Sequence, residues 1–403
     1  MILFFARLRV MIKKDKQFRK FQAYGFLKNL RFFEPFFILA FLSAGLNYFQ
    51  IGVLYTIRSL ATNILEVPTG VFADLYGRRK SMIFSMISYI ISFLVFYFFK
   101  SFLLFVVAMI FFSFGEAFRT GTHKAMIFQY LKLNNMEDLK VQYYGATRAA
   151  SQLGSALNSL LTAVIVFFSG DYKLIFLLAV IPYVVNLVNL STYPKDLDFS
   201  SKKSKKETLK DFWGAISNWK TLKLLLNATS YSAIFKSLKD YLQPVIESFA
   251  LTIPIFLGVS KEKRTSVLVG IIYFGLYILT SMASRNSWKF KKGLNLTLFL
   301  GAITVILIGI SYVYKLYFLS IIFFFFLYIL ENIRRPIAVS YISEKSEALA
   351  SVLSVESQVK TFLSAMFSFL MGFLSNEYGI GVGIMVLGAI LLVFSQIFKC
   401  KDL

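Results

Sequence analysis

The sequence predicts an all-α membrane protein in which twelve transmembrane helices form two pseudo-symmetric six-helix bundles. Three observations predict this fold: an apolar composition, about twelve apolar stretches of membrane-spanning length, and short sequence matches between the two halves of the chain. Hydrophobic residues occupy 57% of the 403 positions, whereas an average soluble domain is about 45 to 50% apolar. The mean hydropathy of +0.66 also indicates an integral membrane protein.

The predicted spans follow one another along the chain, mostly with short connections. A helix that crosses a bilayer needs roughly 20 mostly apolar residues. The N-terminal spans are predicted at 32–50, 52–73, 80–99, 102–131, 141–169 and 172–192. The C-terminal spans are predicted at 221–250, 266–284, 294–313, 316–342, 349–374 and 380–398.

One long hydrophilic interval, at 193–220, divides the chain. We therefore predict an N-terminal six-helix bundle in 1–195, preceded by a basic cytoplasmic arm, and a C-terminal six-helix bundle in 221–403. A cytoplasmic linker in 196–220 joins them. Apolar residues at helical spacing in 208–219 favour an amphipathic helix on the membrane surface, and a flexible linker is the alternative.

Basic residues are concentrated in alternate connections, which matters more than the net charge of +23. This positive-inside pattern predicts a multi-pass membrane protein with both termini in the cytoplasm. The same clusters attract anionic lipid headgroups, so membrane lipids, and not nucleic acid, are predicted partners. One Cys and one His argue against a disulfide framework and a Cys or His metal site. No metal or cofactor is predicted.

Three short matches, at offsets of roughly 190 to 215 residues, indicate a duplicated half of the kind found in carriers. Their members stand in the same order along the two halves. They are Tyr48 to Gln50 with Tyr241 to Gln243, Glu116 to Arg119 with Glu331 to Arg334, and Ser151 to Gln152 with Ser357 to Gln358.

Ionisable residues inside the apolar spans are candidate functional residues, because charge in hydrocarbon is costly unless it faces a cavity or a partner. The spacing of Glu116, Arg119, Thr120 and His123 predicts one shared helical face in the fourth span. The equivalent stripe of the tenth span is expected to meet it near the axis that relates the two halves.

Two i, i+4 spacings predict ion pairs within single helices: Lys236 with Asp240 and Glu356 with Lys360. The candidate solute-binding residues are Asn47, Gln50, Arg119, Arg148, Gln152, Lys236, Tyr241, Arg334 and Gln358. The candidate proton-coupling carboxylates are Glu66, Glu116 and Glu331. For Glu66, a role as a helix-packing partner is the alternative.

A tight basic turn lies between the second and third predicted spans. Glycine at position 77 permits a backbone turn that other residues rarely adopt, and Asp74 can pair with Arg78 or Arg79. These residues, with Gly70 and Ala73, match the motif Gly-x-Leu-Ala-Asp-Arg-x-Gly-Arg-Lys, although Leu75 replaces its first basic residue.

Through this motif the chain resembles a transporter of the major facilitator superfamily. The resemblance is to a bacterial or archaeal branch of the family, and it implies the plasma membrane of a prokaryote and a gate on the cytoplasmic side. The gate residues it implies are Gly70, Asp74, Gly77, Arg78 and Arg79.

The predicted function is secondary active transport of a small organic solute by alternating access, coupled to protons, in a monomer. The basic residues of the interior favour an anion or a zwitterion. The first alternative is polyspecific efflux of lipophilic drugs, although the Gly-Pro-rich fifth-helix motif of drug/proton antiporters is absent at 151–158. The second is a non-transporting receptor on the same fold. Because no nucleophile and base stand at a recognisable spacing, an enzyme is not predicted.

Overall fold

The computed structural model describes residues 15–198, 219–254, 258–286, 293–344 and 349–400, and α-helices dominate these ranges. The N-terminal helices are α1 (Lys16–Lys28), α2 (Phe37–Ser43), α3 (Tyr48–Tyr76), α4 (Arg78–Phe98), α5 (Phe102–Arg119), α6 (Thr122–Leu133), α7 (Lys140–Ser169) and α8 (Leu174–Ser191). The C-terminal helices are α9 (Trp219–Leu238), α10 (Leu242–Thr252), α11 (Lys261–Asn286), α12 (Leu294–Val313), α13 (Tyr317–Glu344), α14 (Leu349–Glu377) and α15 (Ile380–Ile397). Short 3-10 turns cover Glu34–Phe36, Glu137–Leu139, Lys195–Asp198 and Lys239–Tyr241.

Eight helical stretches within the described ranges are long and apolar enough to cross a membrane. They include α4, the combined α5 and α6, and α12, and each keeps many apolar side chains on its outer surface. Apolar side chains that face outward suit a bilayer, which supplies the apolar surroundings they need. The predicted amphipathic helix at 208–219 lies outside the described residues, except for Trp219 at the start of α9.

The boundary between the first two predicted spans is wrong. Helix α3 runs without interruption through the predicted boundary near residue 51, because Asn47 and Gln50 form a capping box that starts the helix at Tyr48. The preceding span is shifted toward the N-terminus. It consists of α1, the turn Glu34–Phe36 and α2, so part of the predicted basic arm is a helix with buried aromatic side chains.

The fourth predicted span is broken at Gly121. This residue has a φ of 73°, in the left-handed region that glycine adopts readily, and the break ends α5 at Arg119 and starts α6 at Thr122. The prediction of one continuous face from Glu116 to His123 is therefore wrong. His123 is instead buried, with its ring stacked on Tyr24 at 3.8 Å between centroids.

Two of the three internal sequence matches join equivalent helices of the two halves, and one does not. The matches that start at Glu116 and Ser151 connect α5 with α13 and α7 with α14, in the same order along both halves. The match of Tyr48 with Tyr241 does not join equivalent elements, because Tyr48 opens a long helix and Tyr241 lies in the 3-10 turn between α9 and α10.

Successive long helices run in opposite directions, so their turns gather at two ends of the molecule. We call these the Gly45 end, which also holds the turn after Gly170, and the Gly77 end. The N-terminal and C-terminal helices contact each other where α3 packs on α14 and α7 packs on α11. A Cβ atom added to Gly52 would lie 2.7 Å from the Gly372 Cα. The two groups of helices thus meet backbone to backbone toward the Gly45 end.

Candidate functional site

A bidentate ion pair between Arg58 and Glu116 lies among the N-terminal helices. The Arg58 Nε and Nη2 atoms donate to the two carboxylate oxygens of Glu116 at 3.1 and 2.7 Å. The guanidinium also lies 4.5 Å from the centre of the Phe112 ring. Only 17% of the Arg58 side chain and 14% of the Glu116 side chain are exposed. Such a two-point, charge-assisted contact is among the stronger interactions available to a buried carboxylate.

Further charged residues come to this pair from α3, α9 and α14. Lys236 on α9 is half-buried and interacts electrostatically with Glu116 and Arg58, and Glu66 on α3 interacts with Lys236 and Lys360. The predicted pair of Glu356 with Lys360 is confirmed at 3.4 Å. We call this set the central cluster: Arg58, Glu66, Glu116, Lys236, Glu356 and Lys360.

Two members of the central cluster, Lys236 and Glu66, form no ion pair or hydrogen bond through their side chains within the described ranges. The remaining four members are taken up by the Arg58–Glu116 and Lys360–Glu356 pairs. Three cations and three carboxylates give the cluster a formal charge of zero. It therefore offers one free ammonium group and one free carboxylate.

A second charged contact joins the N-terminal and C-terminal helices. The Lys239 ammonium lies 2.7 Å from Asp240 and 3.6 Å from Glu34. Asp240 therefore pairs with Lys239, and the predicted pair with Lys236 is wrong because α9 ends at Leu238 and the helical spacing is lost. The Gln243 side chain donates to the Glu34 carbonyl at 2.9 Å and accepts from the Ile38 amide at 2.8 Å.

Three predicted solute ligands, Asn47, Gln50 and Tyr241, lie away from the central cluster. The side chains of Asn47 and Gln50 cap the start of α3 and bond to each other's backbone at 2.9 and 3.1 Å. Arg58 lies eleven residues further along this helix, or roughly 16 Å. Tyr241 is 2% exposed and its ring stacks on Tyr48 with centroids 6.0 Å apart. Asn47 and Gln50 thus start α3, and Tyr241 packs against the first residue of this helix.

The tenth predicted span does not present a charged stripe that meets Glu116. Arg334 is fully buried and donates to the backbone and side chain of Asn227 at 2.6 and 2.8 Å, to Thr297 at 2.8 Å and to the Leu294 carbonyl. It holds α9, α12 and α13 together, against the prediction that it binds solute. Glu331 accepts hydrogen bonds from the Ser232 hydroxyl at 2.9 and 2.8 Å.

The remaining predicted ligands lie at other places. Arg119 and Arg148 line a cavity of about 180 Å³ between α1, α5, α6 and α7. Gln152 on α7 accepts a hydrogen bond from Ser281 on α11 at 3.2 Å, and the Gln358 carbonyl on α14 accepts one from Asn63 on α3 at 3.2 Å. The last two residues thus mark contacts between the N-terminal and C-terminal helices.

Buried aromatic residues form one wall of the cavity that Arg119 and Arg148 line. His123 lies 3.2 Å from the Tyr193 hydroxyl, which donates to the Lys20 carbonyl at 3.1 Å. Burial raises the pKa of Tyr193 well above its usual value, so the hydroxyl keeps its proton at neutral pH.

The comparison with known sequences decides the family. A sequence model described as Major Facilitator Superfamily matches residues 29–359, which is most of the chain. The chain belongs to the major facilitator superfamily. It is also 24% identical to the uncharacterized MFS-type transporter YxaM of Bacillus subtilis (strain 168), over 95% of this chain and 96% of that one. The chain is therefore a membrane transporter of the MFS type.

Solved structures of other transporters share this fold. The nucleoside transporter NupG aligns with a TM-score of 0.78 at 12% identity, over 96% of this chain and all of that one. A D-xylose-proton symporter aligns with a TM-score of 0.65 at 13% identity, over 95% of this chain and 96% of that one. At these identities the likeness shows the fold alone.

The MFS motif turn is built around Asp198, a residue that the motif does not include. Gly77 has a φ of 99°, and a Cβ at this position would lie 2.7 Å from the Asp198 carboxyl carbon. The Asp198 carboxylate accepts from the Arg79 amide at 2.6 Å and lies 3.8 Å from its Nε. Asp74 is exposed and forms no ion pair in the described part of the chain, so its predicted pairing with Arg78 or Arg79 is wrong for this conformation.

Gly70, the first glycine of the MFS motif, is exposed, and a Cβ there would meet nothing within 4 Å. Arg78 opens α4 and is half-buried. The role of the motif as a gate in this MFS protein thus stays a prediction.

The sequence reasoning missed Arg58, Glu34 and Asp198. A signal for Arg58 was present, because it is the one charged residue between Glu34 and Glu66 and lies inside an apolar stretch. Glu34 gave a weaker signal, since it stands beside Pro35 near a predicted helix start. No local signal marks Asp198, because its partner Arg79 is 119 residues away.

Proposed function

We propose that this MFS protein transports a small zwitterionic solute by alternating access, and that the central cluster is its binding site. The free ammonium of Lys236 and the free carboxylate of Glu66 carry this proposal, because they match a solute carboxylate and a solute ammonium group. A simple anion would leave Glu66 uncompensated. The neutral sum of the cluster therefore favours a zwitterion over an anion.

The proposal includes twelve membrane crossings in two six-helix bundles that rock about the central cluster. The eight apolar spans support eight of these crossings. The other four would be α1 with α2, α3, α9 with α10, and α14, each of which carries polar residues that a bundle interior accommodates. Both termini would lie in the cytoplasm, which the basic residues at the Gly77 end support. The proposal also includes a monomer of the plasma membrane that carries out no covalent chemistry.

The structure would then represent the state that faces the cytoplasm. Contacts between the two groups of helices concentrate toward the Gly45 end, where Gly52 meets Gly372 and Gln243 holds Glu34. At the Gly77 end, by contrast, Asp74 and Gly70 are exposed. A solute would reach the central cluster from this side.

We also propose that protons drive transport, as in the D-xylose-proton symporter that shares the fold. Protonation of Glu116 would remove one charge of its pair and release the Arg58 guanidinium, which ties proton binding to the cluster. Glu66 is the second carboxylate of the cluster and can exchange a proton without breaking an existing pair. Glu331 is the least favoured of the three, because the Ser232 hydroxyl already donates to both of its carboxylate oxygens.

The test is uptake in proteoliposomes with a solute found by thermal-shift screening of a library in matched sets. Each set contains a zwitterion, the same molecule without its ammonium group and the same molecule without its carboxylate. We expect the zwitterion to stabilise the wild type most. Lys236→Gln should weaken zwitterion binding about tenfold or more, as loss of a charged hydrogen bond does, and should leave binding of the carboxylate-free analogue unchanged.

Glu66→Gln should show the opposite selectivity, and Lys100→Gln, at an exposed position on the Gly45 end, is the matched control. If both variants weaken all three analogues equally, the zwitterion proposal fails. If an imposed pH gradient leaves uptake unchanged, the proposal of proton coupling fails. Failure of every solute to cross the membrane would favour the receptor alternative.

Export of lipophilic drugs is the second candidate, and a tyrosine group favours it. Tyr273 and Tyr277 on α11 and Tyr328 on α13 interact with one another and with Asp240, and the Tyr328 hydroxyl donates to the Lys239 carbonyl at 3.1 Å. Aromatic faces beside carboxylates attract lipophilic cations. Resistance profiling of an overexpressing strain distinguishes this function, since only an exporter should raise the tolerated dose.

A further inference from the structure

A strongly basic cavity, which we call the Arg119 cavity, adjoins the central cluster toward the Gly77 end. It has a volume of about 180 Å³ and lies between α1, the break from α5 to α6, and α7. Four cationic residues line it, and none of its lining residues is Asp or Glu. The four cations are Lys28, Arg119, Lys124 and Arg148.

None of the four cations forms an ion pair within the part of the chain that the structure describes. The Nε atom of Arg119 is buried without a hydrogen-bond partner among the described residues. The nearest carboxylate along the chain, Glu116, is already held by Arg58 at two points. The Lys124 ammonium lies 5.4 and 5.3 Å from the centres of the Phe128 and Tyr144 rings, but no carboxylate of the described residues pairs with the positive charge of the Arg119 cavity.

The break at Gly121 adds a further feature that suits an anion. Gly121 lines the cavity and directly precedes α6, a helix of 12 residues. The first amide groups of a helix have no partners within the helix and carry a partial positive charge. Helix N-termini of this kind bind phosphate and other anions, here in addition to four side-chain cations.

We propose that the Arg119 cavity binds a doubly charged phosphate-type group, a site separate from that of the transported zwitterion. Drug-sized ligands occupy roughly 300 to 1,000 Å³, so this cavity accommodates a phosphate-sized head and no large molecule. A single carboxylate would neutralise only one of the four cations. Arginine forks and lysine ammonium groups are the side chains that hold phosphate in proteins.

The phosphate group can come from a soluble phosphate ester or from the headgroup of an anionic lipid. Lys124 and Arg148 are exposed, which leaves the cavity accessible from outside, while Tyr24 and His123 close its inner wall. Either source presents the same tetrahedral oxyanion to the same four cations. The inference does not rest on the proposed transport function.

The experiment is isothermal titration of the purified full chain, in neutral detergent, with inorganic phosphate and with glycerol phosphate. We expect saturable binding that weakens as ionic strength rises. Arg119→Gln should weaken it about tenfold or more. Arg148→Gln, at an exposed position with little risk to folding, should weaken it by a smaller factor. Lys132→Gln removes the same charge from an exposed part of α6 outside the cavity and should have no effect.

Two nanodisc compositions identify the source of the phosphate. If phosphate binds equally in phosphatidylcholine discs with and without phosphatidic acid, the occupant is soluble. If phosphatidic acid blocks phosphate binding in the wild type and is enriched around the wild type more than around Arg119→Gln, the occupant is a lipid headgroup. The proposal is overturned if the wild type binds neither phosphate nor phosphatidic acid. It is also overturned if Lys132→Gln weakens binding as much as Arg119→Gln. Lys236→Gln should leave phosphate binding intact, which separates this test from the test of transport.

Discussion

Removing Arg58 or Glu116 singly should destabilise the protein about as much as removing both. Both side chains are more than four-fifths buried, so either single variant leaves a charge without its partner. Loss of one partner of a buried ion pair costs about 3 to 5 kcal/mol. We therefore expect about 3 kcal/mol for Arg58→Met and for Glu116→Gln, at the lower limit because the pair keeps some exposure to water.

The double variant should cost less than the sum of the two single variants. With both charges gone, no unpaired ion remains, and we expect a total of about 3 kcal/mol instead of about 6. The resulting coupling energy of about 3 kcal/mol is measured by denaturant unfolding in detergent, followed by far-UV circular dichroism. Uptake in proteoliposomes from the same preparations reports the effect on transport.

The Glu356–Lys360 pair supplies a matched control cycle. Its side chains are 18% and 25% exposed, and a single contact of 3.4 Å joins residues four positions apart on one helix. Because this contact is single and longer than the two-point Arg58–Glu116 contact, we expect a smaller coupling energy. If the coupling energy of Arg58 with Glu116 is as small as that of the control pair, the two-point contact does not hold α3 and α5 together.

Three other substitutions test the packing of the fold. Gly52→Val places side-chain atoms against the Gly372 backbone, where even a Cβ would lie 2.7 Å away. We expect this variant to open the Gly45 end and to raise the labelling of a cysteine introduced there. Unchanged labelling would contradict closure at this end. Asp198→Asn should destabilise the start of α4 by about 1 kcal/mol, measured by hydrogen exchange, while Asp74→Asn should be within about 0.5 kcal/mol of the wild type. Arg334→Met, which loses four hydrogen bonds, should lower the yield of folded protein in size-exclusion chromatography, and wild-type yield would show that the network is dispensable.

Hydropathy predicted most of the helices, because long apolar segments have few alternatives in a membrane. The errors lie where polar side chains set a helix boundary. Asn47 was assigned to a solute site because it is polar in an apolar region, yet its short side chain serves as a helix cap. The break at Gly121 was missed for a related reason, since glycine is tolerated inside helices and only its φ shows the turn.

The site was harder to predict than the fold, because a sequence shows which residues are charged but not which of them are already paired. Arg334 and Lys236 are both cations in apolar helices. The structure surrounds Arg334 with carbonyl and hydroxyl acceptors and leaves Lys236 with none in the described ranges. That difference depends on Asn227 and Thr297, which come from two other helices. Spacing along one helix carries no information about it.

In the proposed transport mechanism, the free charges of the central cluster would link solute binding to closure of the Gly77 end. Lys236 belongs to the C-terminal helices and Glu66 to the N-terminal ones, so a zwitterion that contacts both draws the two groups together. Closing the carrier empty would remove two unpaired charges from water, at a cost of several kcal/mol for each. The empty carrier avoids this cost only if Lys236 and Glu66 pair with each other. We therefore expect a Lys236→Gln, Glu66→Gln double variant to close without solute, detected as protection of a cysteine placed at Gly70, whereas either single variant should close less readily than the wild type.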